Sequence, residues 1–350
     1  MTTPPKTQTT TPLLLRALGR QPTERRPVWL MRQAGRYMPE YRALRAKSGG
    51  ILAMIKDPAL ACEITMQPVN AFAPDAAIIF SDILTIPMAM GMKLYFNEGP
   101  RFESPLSDEK TIAALKPPSS KSFSYIFNAC RLANDALPAE IPLIGFCGSP
   151  FTLACYMIDG EGGIFWQTRR MLHERPALLH KVLQVNTEAA ITSLQRQINA
   201  GSRAVMIFDS WGGLLGHNNY EEFSLRYIRR IVSAIRPPTP TIVYGRQCGL
   251  HLADIAACGC SAVGVDWQLS LAQAKRIVAG KAALQGNLDP AALLGDVAKT
   301  VRETKRVLDD YGDGPGHIFN LGHGVYKHTS PRNVAALIET VKEYSSQTAK

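Results

Sequence analysis

Residues 29–41 hold the side chains best suited to chemistry in this chain. A short apolar run, 28–31, ends abruptly in Arg32 and Gln33, and Arg36 follows four residues after Arg32. Arginine binds a carboxylate or a phosphate through a bidentate fork that lysine cannot form. No acidic residue separates the two arginines, so we predict that they bind an anion from outside the protein. The alternative is a pair of solvated surface arginines.

The same stretch contains two residues with special backbone properties. Gly35 lets the main chain approach a ligand closely, and Pro39 suits the first position of a helix. If residues 32–36 form a helical turn, the i, i+4 spacing places Arg32 and Arg36 on one face.

Four further side chains are candidates for a ligand site. Asp82 follows an apolar run and is either a helix cap or a carboxylate at the floor of a pocket. His323 lies between two glycines, as a structural histidine in a turn or as a donor to a ligand carboxylate. Tyr156 lies in an apolar stretch, where core packing is the simpler explanation. Ser210 lacks a Gly-x-Ser-x-Gly context, which favours a hydrogen bond to a ligand over a nucleophile.

These residues must be positioned by a repeating pattern of short apolar runs and longer amphipathic segments. Continuous apolar runs are typical of parallel strands that are buried on both faces. The alternation predicts a single-domain (β/α)8 barrel of the TIM type, in the α/β class. An open doubly wound sheet is the alternative, but no Gly-x-Gly-x-x-Gly follows an early strand. The predicted strands are 27–31, 76–80, 141–146, 203–208, 241–244, 261–265, 282–285 and 317–321.

The pattern also predicts the outer layer and the ends of the domain. The barrel domain is expected at 13–345, after a disordered Thr- and Pro-rich tail at 1–12. Its predicted secondary elements outside the barrel strands are a hairpin near 93–102, helices at 176–200, 220–235, 269–279 and 289–311, and a closing helix at 331–344.

Polar residues or glycine follow every predicted strand. In a barrel of this type the loops after the strands meet at one rim, where the chemistry lies. The residues after each strand are therefore expected to converge on Arg32 and Arg36.

Composition limits the possible partners and compartment. The chain has 350 residues, is 46% hydrophobic and has a net charge of +10, which suits nucleic acid, a membrane surface or an acidic small molecule. Lysine and arginine are dispersed, which argues against nucleic acid, and no apolar stretch is long enough for a membrane span. There is no signal-peptide pattern and the cysteine number is odd, so we expect a cytoplasmic protein without disulfides.

Metal chemistry has little support in the sequence. The seven histidines are scattered without a His-Glu-x-x-His helix. Cys258-Gly-Cys260 lacks a second pair, so buried thiols are the better interpretation. We predict no metal site.

Taken in order, the motifs resemble those of the uroporphyrinogen decarboxylase family over nearly the whole chain. They are Met31-Arg-Gln-Ala-Gly-Arg-Tyr-Met-Pro-Glu-Tyr41, Phe80-Ser-Asp-Ile-Leu84, Gly145-Phe-Cys-Gly-Ser-Pro-Phe-Thr-Leu153, Tyr156-Met-Ile-Asp-Gly160, Phe208-Asp-Ser-Trp-Gly-Gly213, Gly286-Asn-Leu-Asp-Pro290 and Asn320-Leu-Gly-His-Gly324.

The resemblance implies a homodimeric barrel without a cofactor that removes the four acetate carboxyl groups of uroporphyrinogen III, a tetrapyrrole, to give coproporphyrinogen III. It implies catalytic roles for Asp82, Arg32 and Tyr156, with Asp82 gathering the pyrrole N–H groups. The implied substrate-binding residues are Arg32, Gln33, Ala34, Gly35, Arg36, Asp82, Tyr156, Ser210 and His323. Where many family members have Phe, this chain has Ser48-Gly-Gly-Ile51, and Ile51 can supply the apolar contact.

Two other functions remain open. A related barrel methyltransferase acting on corrinoid or thiol substrates uses zinc, typically bound by a His-x-Cys pair at a strand end. Here Cys248 lacks a histidine two residues before it. A tetrapyrrole carrier would keep the arginines without needing Asp82.

Overall fold

A computed structural model describes residues 11–235 and 237–348, and its centre is a curled parallel sheet. The sheet has seven strands in the order β1-β4-β5-β6-β7-β8-β9, each parallel to its neighbours. Its strands are β1 Ala77–Ile78, β4 Leu143–Gly148, β5 Ala204–Asp209, β6 Thr241–Gly245, β7 Ala262–Gly264, β8 Ala283–Leu288 and β9 His317–Leu321. Each overlaps a predicted strand, and the predicted barrel class is confirmed.

The remaining predicted strand, 27–31, is wrong as a regular strand. It forms one isolated bridge, from Val28 to Phe319, and lies between β9 and the start of β1 because Asp75 N donates to Val28 O at 2.7 Å. Two main-chain hydrogen bonds join it to Phe319, from Trp29 N to Phe319 O at 3.3 Å and from Phe319 N to Pro27 O at 2.8 Å. Side chains take further donors: Met31 N donates to Asn320 Oδ1 at 3.0 Å, and Leu30 N to Gln33 Oε1 at 3.3 Å. We call residues 27–31 the seam, because they close the barrel at its eighth position.

Alternate strand residues fill the inside of the barrel and its outer layer. The interior cluster includes Trp29, Met206 and Ile242, all fully shielded from solvent. Trp29 Nε1 donates to Gln285 Oε1 at 3.0 Å, which satisfies two polar groups inside this cluster. An N-terminal helix, α1 (Leu13–Leu18), was not predicted, and its apolar residues pack into the same cluster.

Helices cover the outside of the sheet. They are α2 Pro39–Lys47, α3 Ile51–Lys56, α4 Pro58–Phe72, α5 Thr85–Ala89, α6 Glu109–Ala114, α7 Ser124–Ala136, α8 Pro150–Asp159, α9 Trp166–Glu174, α10 Pro176–Asn199, α11 His217–Tyr220, α12 Arg226–Ala234, α13 Leu252–Ala256, α14 Leu271–Val278, α15 Val297–Tyr311 and α16 Pro331–Thr348. The predicted helix at 220–235 is interrupted by a π-helical segment, Glu221–Leu225, and the one at 289–311 begins as a 3-10 turn, Pro290–Leu294.

Helix starts follow from local sequence. Pro39 is the first residue of α2, as predicted, and Ser149 Oγ accepts from Thr152 N at the start of α8. Ser270 and Gln273 form a capping box on α14. These caps fix the directions in which the chain leaves the barrel rim.

Three smaller predictions have mixed outcomes. The predicted hairpin is confirmed as β2 (Leu94–Phe96) paired antiparallel with β3 (Pro100–Phe102). The closing helix α16 runs beyond its predicted end. The predicted disordered tail, 1–12, lies outside the described residues except for its last two positions. Among the described residues, no helix has the length and apolar character needed to cross a bilayer.

Candidate active site

A cavity of about 690 Å³ opens at the carboxyl ends of the strands. This volume lies within the usual range for small-molecule sites, roughly 300–1,000 Å³. The cavity wall includes every residue predicted for the site: Arg32, Gln33, Ala34, Gly35, Arg36, Asp82, Tyr156, Ser210 and His323.

The two arginines reach the cavity from an irregular loop rather than from a helical turn. Arg32 has φ 56°, in the left-handed region, so the seam turns sharply at its end. Both guanidinium-bearing side chains are exposed. Gly324 lies against the aliphatic part of Arg32, and a side chain at position 324 would overlap it. The loop therefore presents two cations to the same space, although the helical-face geometry does not apply.

Gln33 differs from its neighbours because protein groups occupy its polar atoms. Its side chain is 3% exposed, Nε2 donates to Ala76 O at 3.2 Å, and Oε1 accepts from Leu30 N. Its main-chain oxygen accepts from Tyr37 Oη at 2.6 Å. Gln33 thus ties the loop to β1, and its predicted contact with a ligand stays a prediction.

Asp82 caps a turn and also lies on the cavity wall, the two positions considered for it. Its Oδ1 accepts from Leu84 N at 2.8 Å, which caps the turn before α5, and the residue also lines the cavity. Burial raises the pKa of Asp82, while the hydrogen bond from Leu84 and the charge of Arg32 oppose that rise. The carboxyl group is therefore sensitive to any further positive charge that enters the cavity.

Tyr156 stands in an aromatic cluster at the side of the cavity. Its ring contacts Phe165 edge-on at 5.4 Å and Trp211 at 6.3 Å, and burial raises the pKa of its hydroxyl. Tyr156 therefore both packs in the aromatic cluster and lines the cavity. Ser210 lines the cavity directly before Trp211.

His323 is neutral at physiological pH in this environment. Burial, with the positive charges of Arg32 and Arg246, lowers the pKa of His323 to about 4. The flanking glycines are needed for close approach to protein rather than only to a ligand. A side-chain carbon on Gly322 would lie 2.6 Å from Trp267 N. A neutral imidazole can donate one hydrogen bond into the cavity while adding no charge.

Asp209 has a structural role that sequence reasoning missed. It is fully buried and accepts from Ser149 Oγ at 2.6 Å, Ser224 Oγ at 2.8 Å and Thr152 Oγ1 at 3.3 Å. Burial raises the pKa of Asp209 against these hydrogen bonds. The network joins the end of β5 to α8 and to the π-helical segment, and so fixes the wall that holds Ser210.

Sequence reasoning also missed several residues that line the cavity. The cations among them are Arg45 and Lys327, and Glu98 at the hairpin tip is acidic. Arg45 was detectable as the i, i+4 neighbour of Tyr41, whereas nothing in the sequence relates the hairpin tip to this cavity. Ile51 lines the cavity, as expected for an apolar contact there. With Arg32 and Arg36, four cations face two acidic side chains, Asp82 and Glu98.

The predicted convergence of all eight strand ends is wrong. The residues that directly follow the predicted strands 141–146, 241–244, 261–265 and 282–285 do not line the cavity. Asp266, for example, accepts from Gln247 N and Gln268 N at 2.5 Å and 3.1 Å, which connects neighbouring loops. A polar residue at a strand end is thus often a loop anchor. The cavity is lined by residues that follow the seam, β1, β5 and β9, together with Phe146 of β4 and Tyr244 of β6.

Cys248 is the cysteine considered for the zinc site of the methyltransferase alternative, and it is buried. Its thiol is 2% exposed and donates to Arg246 O at 3.3 Å. Burial and the nearby Asp209 carboxylate raise the pKa of Cys248 well above its usual value.

Fold and site together define a parallel α/β barrel with a cavity at the carboxyl ends of its strands that is lined by four cationic side chains. The family model for uroporphyrinogen decarboxylase (URO-D) matches residues 9–344. The chain belongs to the uroporphyrinogen decarboxylase family.

Individual relatives agree with this assignment. The chain is 50% identical over 341 residues to the uroporphyrinogen decarboxylase of Nitrosospira multiformis, covering 95% of this chain and 93% of that one. It is 51% identical over 342 residues to that of Legionella pneumophila, covering 96% and 97%. Among solved structures, a methyltransferase from Methanosarcina mazei matches with TM-score 0.82 at 20% identity, covering 96% of this chain and 99% of that one. At this identity the match shows a shared fold alone.

Proposed function

We propose that this enzyme decarboxylates the four acetate arms of uroporphyrinogen III and that the cavity at the seam is where it does so. One observation supports this assignment above the others: Asp82 lies on the wall of the same cavity as Arg32 and Arg36. The substrate has eight carboxylates around a ring of four pyrrole N–H groups. A cationic wall with a single central carboxylate complements that charge pattern.

Each cavity residue receives a role from its chemistry. Arg32 and Arg36, with Ala34 and Gly35 as the backbone between them, bind substrate carboxylates. Asp82 accepts the pyrrole N–H groups at the ring centre. Tyr156, Ser210 and neutral His323 supply further hydrogen bonds, and Gln33 mainly holds the loop in place.

The reaction needs an electron sink, and the substrate ring supplies it. Protonation of a pyrrole carbon next to an acetate arm leaves a positive charge on the ring, which accepts the electrons released when carbon dioxide departs. The exocyclic methylene group that forms then takes up a proton at its carbon and the ring carbon releases its own, so that each arm becomes a methyl group and one proton is consumed overall. A carboxylate held at the ring centre stabilises that cation without reorganising. The positive ring also favours ionisation of Asp82, because it offsets the cost of burying the charge. The chemistry requires no cofactor.

The proton that starts each decarboxylation comes from a water or from a substrate carboxylic acid, relayed by Arg32 or Tyr156. Burial raises the pKa of the Tyr156 hydroxyl, so it is a weak acid by itself. His323, with its pKa lowered to about 4, is a neutral imidazole at pH 7 and lacks the acidic proton of an imidazolium. Arg32 adjoins the ring and can orient the donor, although a guanidinium is too weak an acid to be the source itself.

The central experiment changes Asp82→Asn, which keeps the shape and the acceptor for Leu84 N but removes the charge. Incubation with uroporphyrinogen and separation of products by carboxylate number should show turnover reduced by at least about 100-fold. The melting temperature should stay close to that of the unchanged protein. Glu103→Gln is the control, because Glu103 pairs with Lys93 on the surface, at the base of the β2–β3 hairpin. Near-normal turnover in Asp82→Asn would contradict the central role of this charge.

The same assay separates the other functions. A carrier would bind uroporphyrinogen and release it unchanged, and a zinc methyltransferase would lose activity on removal of metal. The match of the family model over residues 9–344 favours the decarboxylase over both alternatives.

We further propose a cytoplasmic homodimer. All seven cysteines are free, which suits a reducing compartment. Ile164 and Trp166 expose 69% and 54% of their surface, as expected for side chains that a second copy covers. Sedimentation of the purified protein tests the dimer, and a monomer at micromolar concentration would contradict it.

A further inference from the structure

Three side chains with metal-binding chemistry meet outside the substrate cavity. They are His217 at the start of α11, His251 just before α13, and Asp254 within α13. One ligand atom from each lies within 4.8 Å of the other two. None of the three lines the cavity at the seam.

His251 is the fixed member of this cluster. It is 5% exposed, and its ring stacks on Tyr220 with a centroid distance of 4.1 Å and an angle of 12°. Its Nδ1 is shielded from solvent and makes no hydrogen bond of standard geometry in the described part of the chain, although the main chain of Leu215 lies close enough to the ring to raise its pKa against the effect of burial. A buried polar atom without a partner costs free energy, and a bound ion is one way of satisfying the ring.

The other two members can adjust to an ion. The His217 and His251 rings are nearly parallel, at 13° and 5.7 Å between centroids, so their lone pairs do not yet point to one spot. His217 is exposed and can rotate about its side-chain bonds. Asp254 is partly exposed and follows His251 by three residues, which places the two on one side of a helical turn.

We propose that His217, His251 and Asp254 bind one divalent transition-metal ion of the zinc type. Two imidazole nitrogens and one carboxylate oxygen form a familiar three-ligand set for zinc, with water in the fourth position. Imidazole is a poor ligand for magnesium and calcium, which prefer oxygen.

The ion would connect two loops of the barrel rim. His217 belongs to the connection after β5, and His251 and Asp254 to the connection after β6. The same loops carry Trp211 and Arg246, whose guanidinium lies 5.4 Å from the indole ring. Metal binding would therefore restrain the side of the barrel next to Ser210, without supplying any group to the reaction.

The test is a titration of chelator-treated protein with Co²⁺, followed by its visible absorption. The unchanged protein should bind one equivalent with the strong bands of a low-coordination site, and Zn²⁺ should displace it. His217→Ala and Asp254→Asn should each weaken binding at least about tenfold. Both positions are accessible to solvent, so these variants should fold. His173→Ala is the matched control, because His173 is an exposed histidine away from the cluster.

A second measurement reports on the loops themselves. Zn²⁺ should slow amide exchange in residues 211–217 and 246–254 of the unchanged protein, and it should not do so in His217→Ala. The proposal is overturned if the unchanged protein binds no Co²⁺ at millimolar concentration. It is equally overturned if His217→Ala and Asp254→Asn bind Co²⁺ as tightly as the His173→Ala control.

Discussion

Two glycines at the candidate active site are required for different reasons. A side-chain carbon on Gly324 would overlap Arg32, so glycine at 324 is needed to place a protein side chain. A side-chain carbon on Gly35 would lie 3.6 Å from Arg32 O and 3.8 Å from Tyr37 Cδ1, which are ordinary van der Waals contacts. Packing within the protein thus leaves room for a methyl group at position 35, so a substitution there can test the proposed contact with the substrate.

We therefore expect Gly35→Ala to separate binding from stability. The methyl group would project where the substrate approaches the loop, so KM should rise several-fold while the free energy of unfolding changes by less than about 1 kcal/mol. Steady-state kinetics and urea unfolding measure the two effects. Gly163→Ala is the control, since a side-chain carbon there meets nothing within 4 Å. Equal KM values in the two variants would show that the substrate does not approach Gly35.

Residue types, together with the family resemblance, predicted part of the cavity wall, but not what each residue does there. Arg32 and Asp82 were identifiable because each comes at the end of an apolar run. The hydrogen bonds of Gln33 to Ala76, and of Asp209 to Ser149, connect positions far apart in the chain. Such pairings depend on the folded arrangement, and no local pattern reveals them.

At the scale of elements, the connection after β5 is built around the buried Asp209 carboxylate. Gly212 passes directly over it, and a side-chain carbon there would overlap Asp209 and lie 2.7 Å from Tyr220 Cε2. Neither neighbour can move freely, because both are fully packed.

Gly212→Ala should therefore destabilise the protein by about 1–3 kcal/mol, as overpacking of a buried site does. Thermal or urea unfolding checks the loss. Gly216→Ala in the same connection provides the comparison, because its added carbon has no neighbour within 4 Å. If the two variants unfold at the same denaturant concentration, the connection is looser than its packing implies.

Elements with a regular pattern were predictable, and irregular ones were not. Seven apolar runs became strands because each pairs on both sides or is buried on both faces. The run 27–31 has the same composition, but side chains of Gln33 and Asn320 take its main-chain donors. Helix α1 is only six residues long, too short for a clear period, and packing into the barrel interior accounts for it.

For the molecule as a whole, buried histidine links folding to pH. His317 is 1% exposed, stacks on Tyr311 at 4.4 Å, and its Nε2 lies 3.0 Å from Gly286 O. Burial lowers the pKa of His317 from 6.5 to about 3. Between these two values the unfolded chain binds a proton that the folded chain does not, so stability from this residue is present above pH 6.5 and is lost as the pH falls.

The expected size follows from proton linkage. Because of His317, the free energy of unfolding should be about 2 kcal/mol lower at pH 5 than at pH 7, at about 1.4 kcal/mol per pH unit. Urea unfolding of the unchanged protein and of His317→Gln at both pH values isolates it, because other titrating groups affect both proteins alike. The difference in unfolding free energy between them should shrink by that amount at pH 5. An unchanged difference would mean that His317 does not titrate with folding.

The seam has one more consequence, which concerns motion. The seam is joined to the start of β1 by a main-chain hydrogen bond from Asp75 N to Val28 O and has no regular strand pairing there. Local opening begins where cooperative hydrogen bonding is weakest, so we expect the barrel to open first at the seam. Arg32 directly follows the seam and is also a cation that we propose to bind a substrate carboxylate. Substrate bound in the cavity would then stabilise the seam, so that local opening of the barrel is more frequent in the empty enzyme.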